Sequence, residues 1–384
     1  IVYAYDDDVY TEACELPLNN NKTLLYTYDE ATGGYIVSRD LNGSRWLFLT
    51  KKVYLPDSYD GKPITVIDEE VFKDCCWLTN IEVPDSVIRV ESGAFFGCDN
   101  LQYNEYENAK YLGNEQNPYI ILIKIINTDV TAVEINQKTA VIYDSAFSCC
   151  PRLTSITIPD SVTCIGDEVF SDCVGLINIA IPDSMISIGK AAFSGCDNLK
   201  YNEYRNAKYL GNENNLYVAF VELIDAGIQY VDINAATKVI CENGFYGYGN
   251  LIGITLPDGI TSIDKSVFED CSSLTDITIP DSVRSIGEGA FSGCGALTNI
   301  AIPNGVNAIR KRTFNGCGGL INVTIPDSVK SIGESSFNGC GSLTNITIPD
   351  SVNDIGKYAF SGCSALTNIK IPDSITTIEE RTFS

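Results

Sequence analysis

The chain has 384 residues, with 26 Lys and Arg against 50 Asp and Glu, a net charge of −24, and no histidine. A nucleic-acid or anionic-membrane surface needs clustered Lys and Arg, and no such cluster occurs, so phosphate-bearing partners are not expected. Without imidazole the commonest general base and transition-metal ligand are missing, and most hydrolase and metal constellations go with them.

Residues 1–49 look unlike the rest of the chain. Leu24 to Tyr28 and Tyr35 to Ser38 read as a β-hairpin around Ala31-Thr32-Gly33-Gly34. Its expected job is to cap the first coil, because a terminal coil otherwise exposes unpaired apolar surface. Asp6-Asp7-Asp8 reads as a solvated turn. Ile1 in place of an initiator Met reads as a trimmed mature chain or an expressed fragment.

From residue 50 to 384 a 23-residue unit recurs, with coils starting at 50, 78, 130, 153, 176, 228, 251, 274, 297, 320, 343 and 366. An array of this kind escapes the size limit of a single core, because its core grows in one dimension. Positions 4 and 6 of each unit are Ile, Val or Leu between mostly polar neighbours, the period of a half-buried strand. Pro at position 7 ends that strand, and Pro-Asp suits the two central places of a type I turn. A second short apolar stretch comes next, as in Val283 to Ile286. A single helical turn is then expected around the Phe of position 18, which all twelve units share. Position 21 is Cys in all but one of the units that reach it, Tyr248 being the exception. Stacked coils are expected to bury these residues in ladders, each meeting its equivalent roughly 5 Å away.

Two inserts interrupt the array, at 101–129 and 199–227, and they are copies: 15 of their first 19 positions are identical. Each is expected to continue the coil stack at Leu101 or Leu199 and to project a hairpin tongue, with a polar Gly-Asn turn ahead of an apolar stretch (Tyr119 to Ile126, or Tyr217 to Leu223). That apolar run, broken by Lys124, is the longest in the chain and far short of the ~20 residues of a membrane helix. Tyr103, Tyr106 and Tyr111, with Tyr201, Tyr204 and Tyr209, are candidate ligand anchors of the kind interfaces use. The competing, preferred reading packs them against neighbouring coils.

The pattern L-x-x-I-x-I-P-D-S-V-x-x-I-x-x-x-A-F-x-x-C, seen in Leu274 to Ala296 and Leu343 to Ala365, resembles the BspA-like class of leucine-rich repeats. Residues 23–49 are similar to the irregular leader that precedes such arrays. The resemblance implies a right-handed repeat solenoid with a parallel β-sheet face, short second strands, single helical turns and low helix content. It also implies a secreted or cell-surface protein linked to adhesion, with no catalytic residues to carry over.

Position-21 cysteines are expected to form a buried thiol ladder, since no CxxC pair occurs and free Cys is a good small core residue. Cys14, Cys164 and Cys241 lie outside that ladder. The aspartates of position 8, from Asp57 to Asp373 with Asn304 breaking the set, form a ladder of carboxylates that could bind calcium, but the glycine-aspartate nonapeptide of calcium-binding repeats is absent and Asp after Pro in a turn needs no metal. No cofactor or metal is expected, and the acids fall in turns without a pocket-forming irregularity, so the protein is not read as an enzyme. Sequons at Asn21, Asn42, Asn322 and Asn345 follow from composition and the repeat. The outward sheet face, sampled by Thr278, Asn299 and Thr347, is the second candidate site: polar, small and flat. No terminal cap follows Phe383, so the array is expected to run on. The sequence therefore points to a non-enzymatic, monomeric surface or secreted protein that binds a protein or glycan ligand. The alternative is a structural spacer or self-associating surface-layer element.

Overall fold

A computed structural model describes residues 24–29, 32–39 and 51–384. Asp6 to Asp8, Cys14, Asn21, Asn42 and residues 23, 30–31 and 40–49 of the expected leader lie outside the described residues. The protein is a β-solenoid with no helix among the described residues. It divides into two compact units, one of residues up to Ile177 with Ala192–Asn198, the other of Asn178–Ala191 with Leu199–Ser384.

In the first unit, β1 (Leu24–Asp29) and β2 (Gly34–Arg39) form an antiparallel hairpin, and β2 pairs in parallel with Lys62–Ile67. Coil follows coil from there: Lys52–Tyr54 pairs with Asn80–Glu82, and Val66–Ile67 with Arg89–Val90.

In the second unit, the coil Leu274–Ala296 shows the wiring. Its first strand, Asp276–Thr278, exposes Asp276 and Thr278 and buries Ile277 against the core. The strand pairs in parallel with Gly253–Thr255, and that with Tyr230–Asp232. A second parallel sheet is built from Asn299–Ala301, Asn322–Thr324 and Asn345–Ile346. Pro280 stops the strand, but the turn is shifted by one residue from the expected register. Val283 N–H donates to the Pro280 carbonyl at 3.0 Å, so Asp281 and Ser282 are the central pair and Pro280 is first. Proline lacks a donor but keeps a free acceptor, and the turn uses it. The serine after Asp has a use that the sequence did not show. In other coils its hydroxyl donates to the preceding coil, as Ser328 to Val306 O and Ser351 to Val329 O, both at 2.7 Å.

The expected helical turn does not form. Around Phe291, alternate amides leave the coil: Phe291 N–H donates to Thr313 O at 2.9 Å and Gly293 N–H to Asn315 O at 2.7 Å. The amides between them close tight local turns, Ser292 to Gly289 and Cys294 to Phe291. Gly289 and Gly293 have φ of 62° and 75°, and the left-handed region interrupts a right-handed helix. Equivalent places in the neighbouring coils are left-handed without glycine, at Ser266, Asp270 and Arg312.

The core is a set of ladders. Phe245, Phe268, Phe291, Phe314, Phe337, Phe360 and Phe383 stack with ring centroids 5.2–5.6 Å apart. Beside them Cys271, Cys294, Cys317, Cys340 and Cys363 are buried free thiols. Each thiol donates to the phenylalanine carbonyl of the preceding coil, as Cys317 Sγ to Phe291 O at 3.1 Å. Burial pushes the Cys317 thiol up to about 12, so the ladder stays protonated near neutrality. Cys164 and Cys241 are buried as well, whereas Cys76 and Cys149 are exposed.

Candidate functional site

The two inserts share one scaffold. In the first unit, β3 (Asn104–Tyr106), β4 (Ala109–Leu112) and β5 (Ile121–Ile125) form an antiparallel meander, and β5 enters the solenoid beside Val141–Ile142 in parallel. In the second unit, β6 (Asn202–Tyr204), β7 (Ala207–Leu210) and β8 (Ala219–Leu223) repeat it, with β8 beside Val239–Ile240. Leu101 and Leu199 are buried and continue the leucine ladders. β8 also lends Phe220 to the spine, stacked 4.3 Å from Phe245.

The Gly-Asn turn is not the tongue tip. Gly113 is buried, takes the place of the next coil beside Glu82, and accepts from Val83 N–H at 3.1 Å. Gly211 does the same for Ile181 N–H at 3.0 Å. A Cβ on either glycine would stand 2.1 Å from the carbonyl of Asn117 or Asn215, so nothing larger fits. Asn114 and Asn212 then staple the loop, donating to Val83 O and Ile181 O, each at 2.9 Å. The exposed tips are instead the two-residue hairpin loops Glu107-Asn108 and Arg205-Asn206. Their first residues are left-handed at φ 49° and 53°, as tight hairpin loops demand.

The six tyrosines part company. Tyr111 and Tyr209 are fully buried core groups, so these two are not ligand anchors. Their hydroxyls accept from Asn136 N–H at 3.4 Å and Asn234 N–H at 3.3 Å. Burial pushes both phenols up to about 12, partly opposed by those donated amides. Tyr103 and Tyr201 are half-buried, with Lys110 and Lys208 ammonium groups 5.6 and 5.2 Å from the ring centres. Tyr106 and Tyr204 are half-buried at the tips. Tyr106 donates to Glu134 at 3.2 Å, whereas Tyr204 lies under the Arg205 guanidinium at 5.3 Å. Arg205 in turn pairs with Asp232.

In the second unit the tip overhangs the main sheet, and a groove of about 740 Å³ opens between Tyr204-Arg205 and β9 (Tyr230–Asp232), β10 (Gly253–Thr255) and β11 (Asp276–Thr278). Cross-strand register sets Tyr230, Gly253 and Asp276 in one row and Asp232, Thr255 and Thr278 in the next. Tyr230 is 67% exposed, and one edge of its ring lies beside Gly253: a Cβ there would meet Cδ1 and Cε1 at 3.1 and 3.3 Å. Of the sheet-face candidates, Thr278 lines this groove. Asn299 and Thr347 are exposed further along and outside it, Asn299 accepting from Asn322 Nδ2 at 2.9 Å.

Arg205, Tyr230 and Gly253 do not stand out in the repeat pattern. Their signal lies elsewhere in the sequence: each is where the 98-residue copies differ, against Glu107, Ala132 and Ser155. The first unit has a smaller hollow of about 270 Å³ at the corresponding sheet face, lined by Ala132, Glu134 and Ser155. Among the described residues, no group of three or more His, Cys, Asp or Glu side chains converges as a metal site would require. No helix there is long and apolar enough to cross a membrane.

Among curated proteins nothing matches this chain. Among solved structures it is similar to a leucine-rich repeat protein of Eubacterium ventriosum, at 23% identity over 94% of this chain and 92% of that one, TM-score 0.44. A leucine-rich cell surface protein of Faecalibacterium prausnitzii is similar at 24% identity, 93% and 96% coverage, TM-score 0.34. A leucine-rich repeat protein of Bacteroides ovatus is similar at 24%, 92% and 94%, TM-score 0.29. The BspA type leucine-rich repeat region matches in six copies, over residues 52–116, 126–214, 219–340 and 307–384. With nearly every coil and most of both inserts inside those matches, the chain belongs to the BspA type leucine-rich repeat family.

Proposed function

We propose that this protein is a non-enzymatic binding module, secreted or held at a cell surface, that engages a macromolecular ligand through the groove of its second unit. The observation that carries this reading is the groove itself, where an aromatic and an arginine on a hairpin tip face an exposed tyrosine on a rigid sheet. Tyr and Arg are the side chains that carry most interface energy, and a concave site on fixed strands keeps the ordering cost low. The rest of the outward sheet face, with Asn299 and Thr347, supplies polar contact area without such anchors.

The test is a binding screen of the full chain against matrix proteins, mucins and cell-surface glycans, beside an Arg205→Glu/Tyr230→Ala double variant. Excising either tongue would remove buried Tyr111 or Tyr209, whereas Arg205 and Tyr230 are exposed and can be changed without opening the core. Binding by the native chain that weakens at least about tenfold in the variant supports the groove; each factor of ten is about 1.4 kcal/mol. Binding that the variant retains in full overturns it, and no binding by the native chain favours a spacer.

A further inference from the structure

The chemistry of the groove narrows its ligand. Tyr230 is largely exposed, with the Cδ1–Cε1 edge of its ring set beside Gly253, so the ring is offered to the groove as a platform. Glycine at this place is what permits it, since the neighbouring strands carry Asp276 and Asn299 at the same position. Around the platform stand short groups on the same rigid strands: the Asp276 carboxylate and the hydroxyls of Thr255 and Thr278. Across the groove Arg205 is already committed, paired with Asp232 and stacked on Tyr204. The site thus combines one open aromatic face, several acceptors and hydroxyls within two strand spacings, about 10 Å, and no cation to spare.

We infer that this groove is a subsite for a neutral glycan, with one pyranose ring stacked on Tyr230 and its hydroxyls bonded to Asp276, Thr255 and Thr278. This assignment rests on the groove being the binding site and adds its ligand class. The electronegative face of a phenol attracts the electropositive C–H face of a pyranose, and vicinal hydroxyls both donate and accept. An anionic sugar would meet unpaired Asp258 and Asp276 in a groove whose arginine is neutralised. A cationic peptide would find those two carboxylates on separate elements, a turn and a strand, rather than gathered around the ring. The first unit has Ala132 in the place of Tyr230 and Ser155 in the place of Gly253, so no equivalent platform is expected at that position of the first unit.

The experiment is calorimetric titration of the full chain with neutral xylo-, manno-, cello- and malto-hexasaccharides, a sialylated oligosaccharide and an oligolysine peptide. Binding of at least one neutral hexasaccharide is expected, with no uptake of the sialylated probe. Tyr230→Ala should weaken it about tenfold and Tyr230→Trp should retain it, as stacking requires. Gly253→Val keeps the tyrosine but dislodges its ring, and should also weaken binding; unchanged melting of each variant separates this from misfolding. No binding of any neutral hexasaccharide overturns the glycan class. Tyr230-dependent binding of oligolysine, or of a protein found in the screen above, overturns the class while leaving the groove standing. Glycan binding indifferent to both Tyr230→Ala and Gly253→Val overturns the subsite.

Discussion

The two insert blocks are the same construction put to different ends. In both, a buried glycine replaces a coil, an asparagine staples the loop, and a buried tyrosine hydroxyl receives a backbone amide. They differ at the tip and on the sheet beneath it. The first has Glu107, with Tyr106 donating to Glu134; the second has Arg205 paired with Asp232 over a sheet bearing Tyr230. The copies keep the glycine, asparagine and tyrosine of the scaffold and differ both at some core positions and at exposed ones, and it is the exposed differences that single out the candidate site.

The sharpest way to break this comparison is through the spine. Phe220 of the second block stands where the first has Leu122. Phe220→Ala should cost about 3–5 kcal/mol, as should Phe291→Ala in a plain coil. Phe220→Leu, which converts the second block to the first, should cost under about 1.5 kcal/mol. Hydrogen exchange of second-unit amides measures this without assuming that both units unfold together. If Phe220→Ala were silent, β8 would not be part of the core.

Next come the glycines. Gly113→Ala and Gly211→Ala should each destabilise by about 1–3 kcal/mol or more, since the new Cβ meets backbone rather than a flexible side chain. A tolerated substitution in one block would mean that the two scaffolds are not equivalent.

The buried phenols test equivalence more gently. Tyr111→Phe and Tyr209→Phe should cost about 0.5–1.5 kcal/mol each through the lost amide bond. Both phenols sit at about 12 in the fold against an ordinary value of 10.0. A raised acid of this kind leaves stability full below pH about 10 and erodes it as pH rises through about 12. Ultraviolet phenolate titration should show two fewer late-ionising tyrosines in the double variant than in the native chain.

The smallest effect is a charge swap. Lys208 lies opposite Glu222 at 2.7 Å, whereas Lys110 lies opposite Lys124 in the first block. Lys124→Glu should stabilise the first tongue by about 0.2–1 kcal/mol, less in high salt. Destabilisation by that change would show that the cross-strand register differs between the blocks.

The sequence by itself determined the coil. A strand that alternates, a proline that cannot donate, and a Phe and a Cys at fixed places leave few arrangements other than ladders, because each signal is local and repeated. Where an outcome depended on how neighbouring coils share hydrogen bonds, only the tertiary structure decided. The helical turn at Phe291 was lost because its amides serve the next coil and Gly289 and Gly293 turn left-handed. The proline turn moved by one residue because the Pro280 carbonyl was the available acceptor. The tongue tip fell at Arg205-Asn206 rather than Gly211-Asn212, because a buried glycine was needed where the insert meets Ile181. The groove was the least legible part. Tyr204, Tyr230 and Thr278 are far apart along the chain, and they meet only because a hairpin folds back over three strands set side by side.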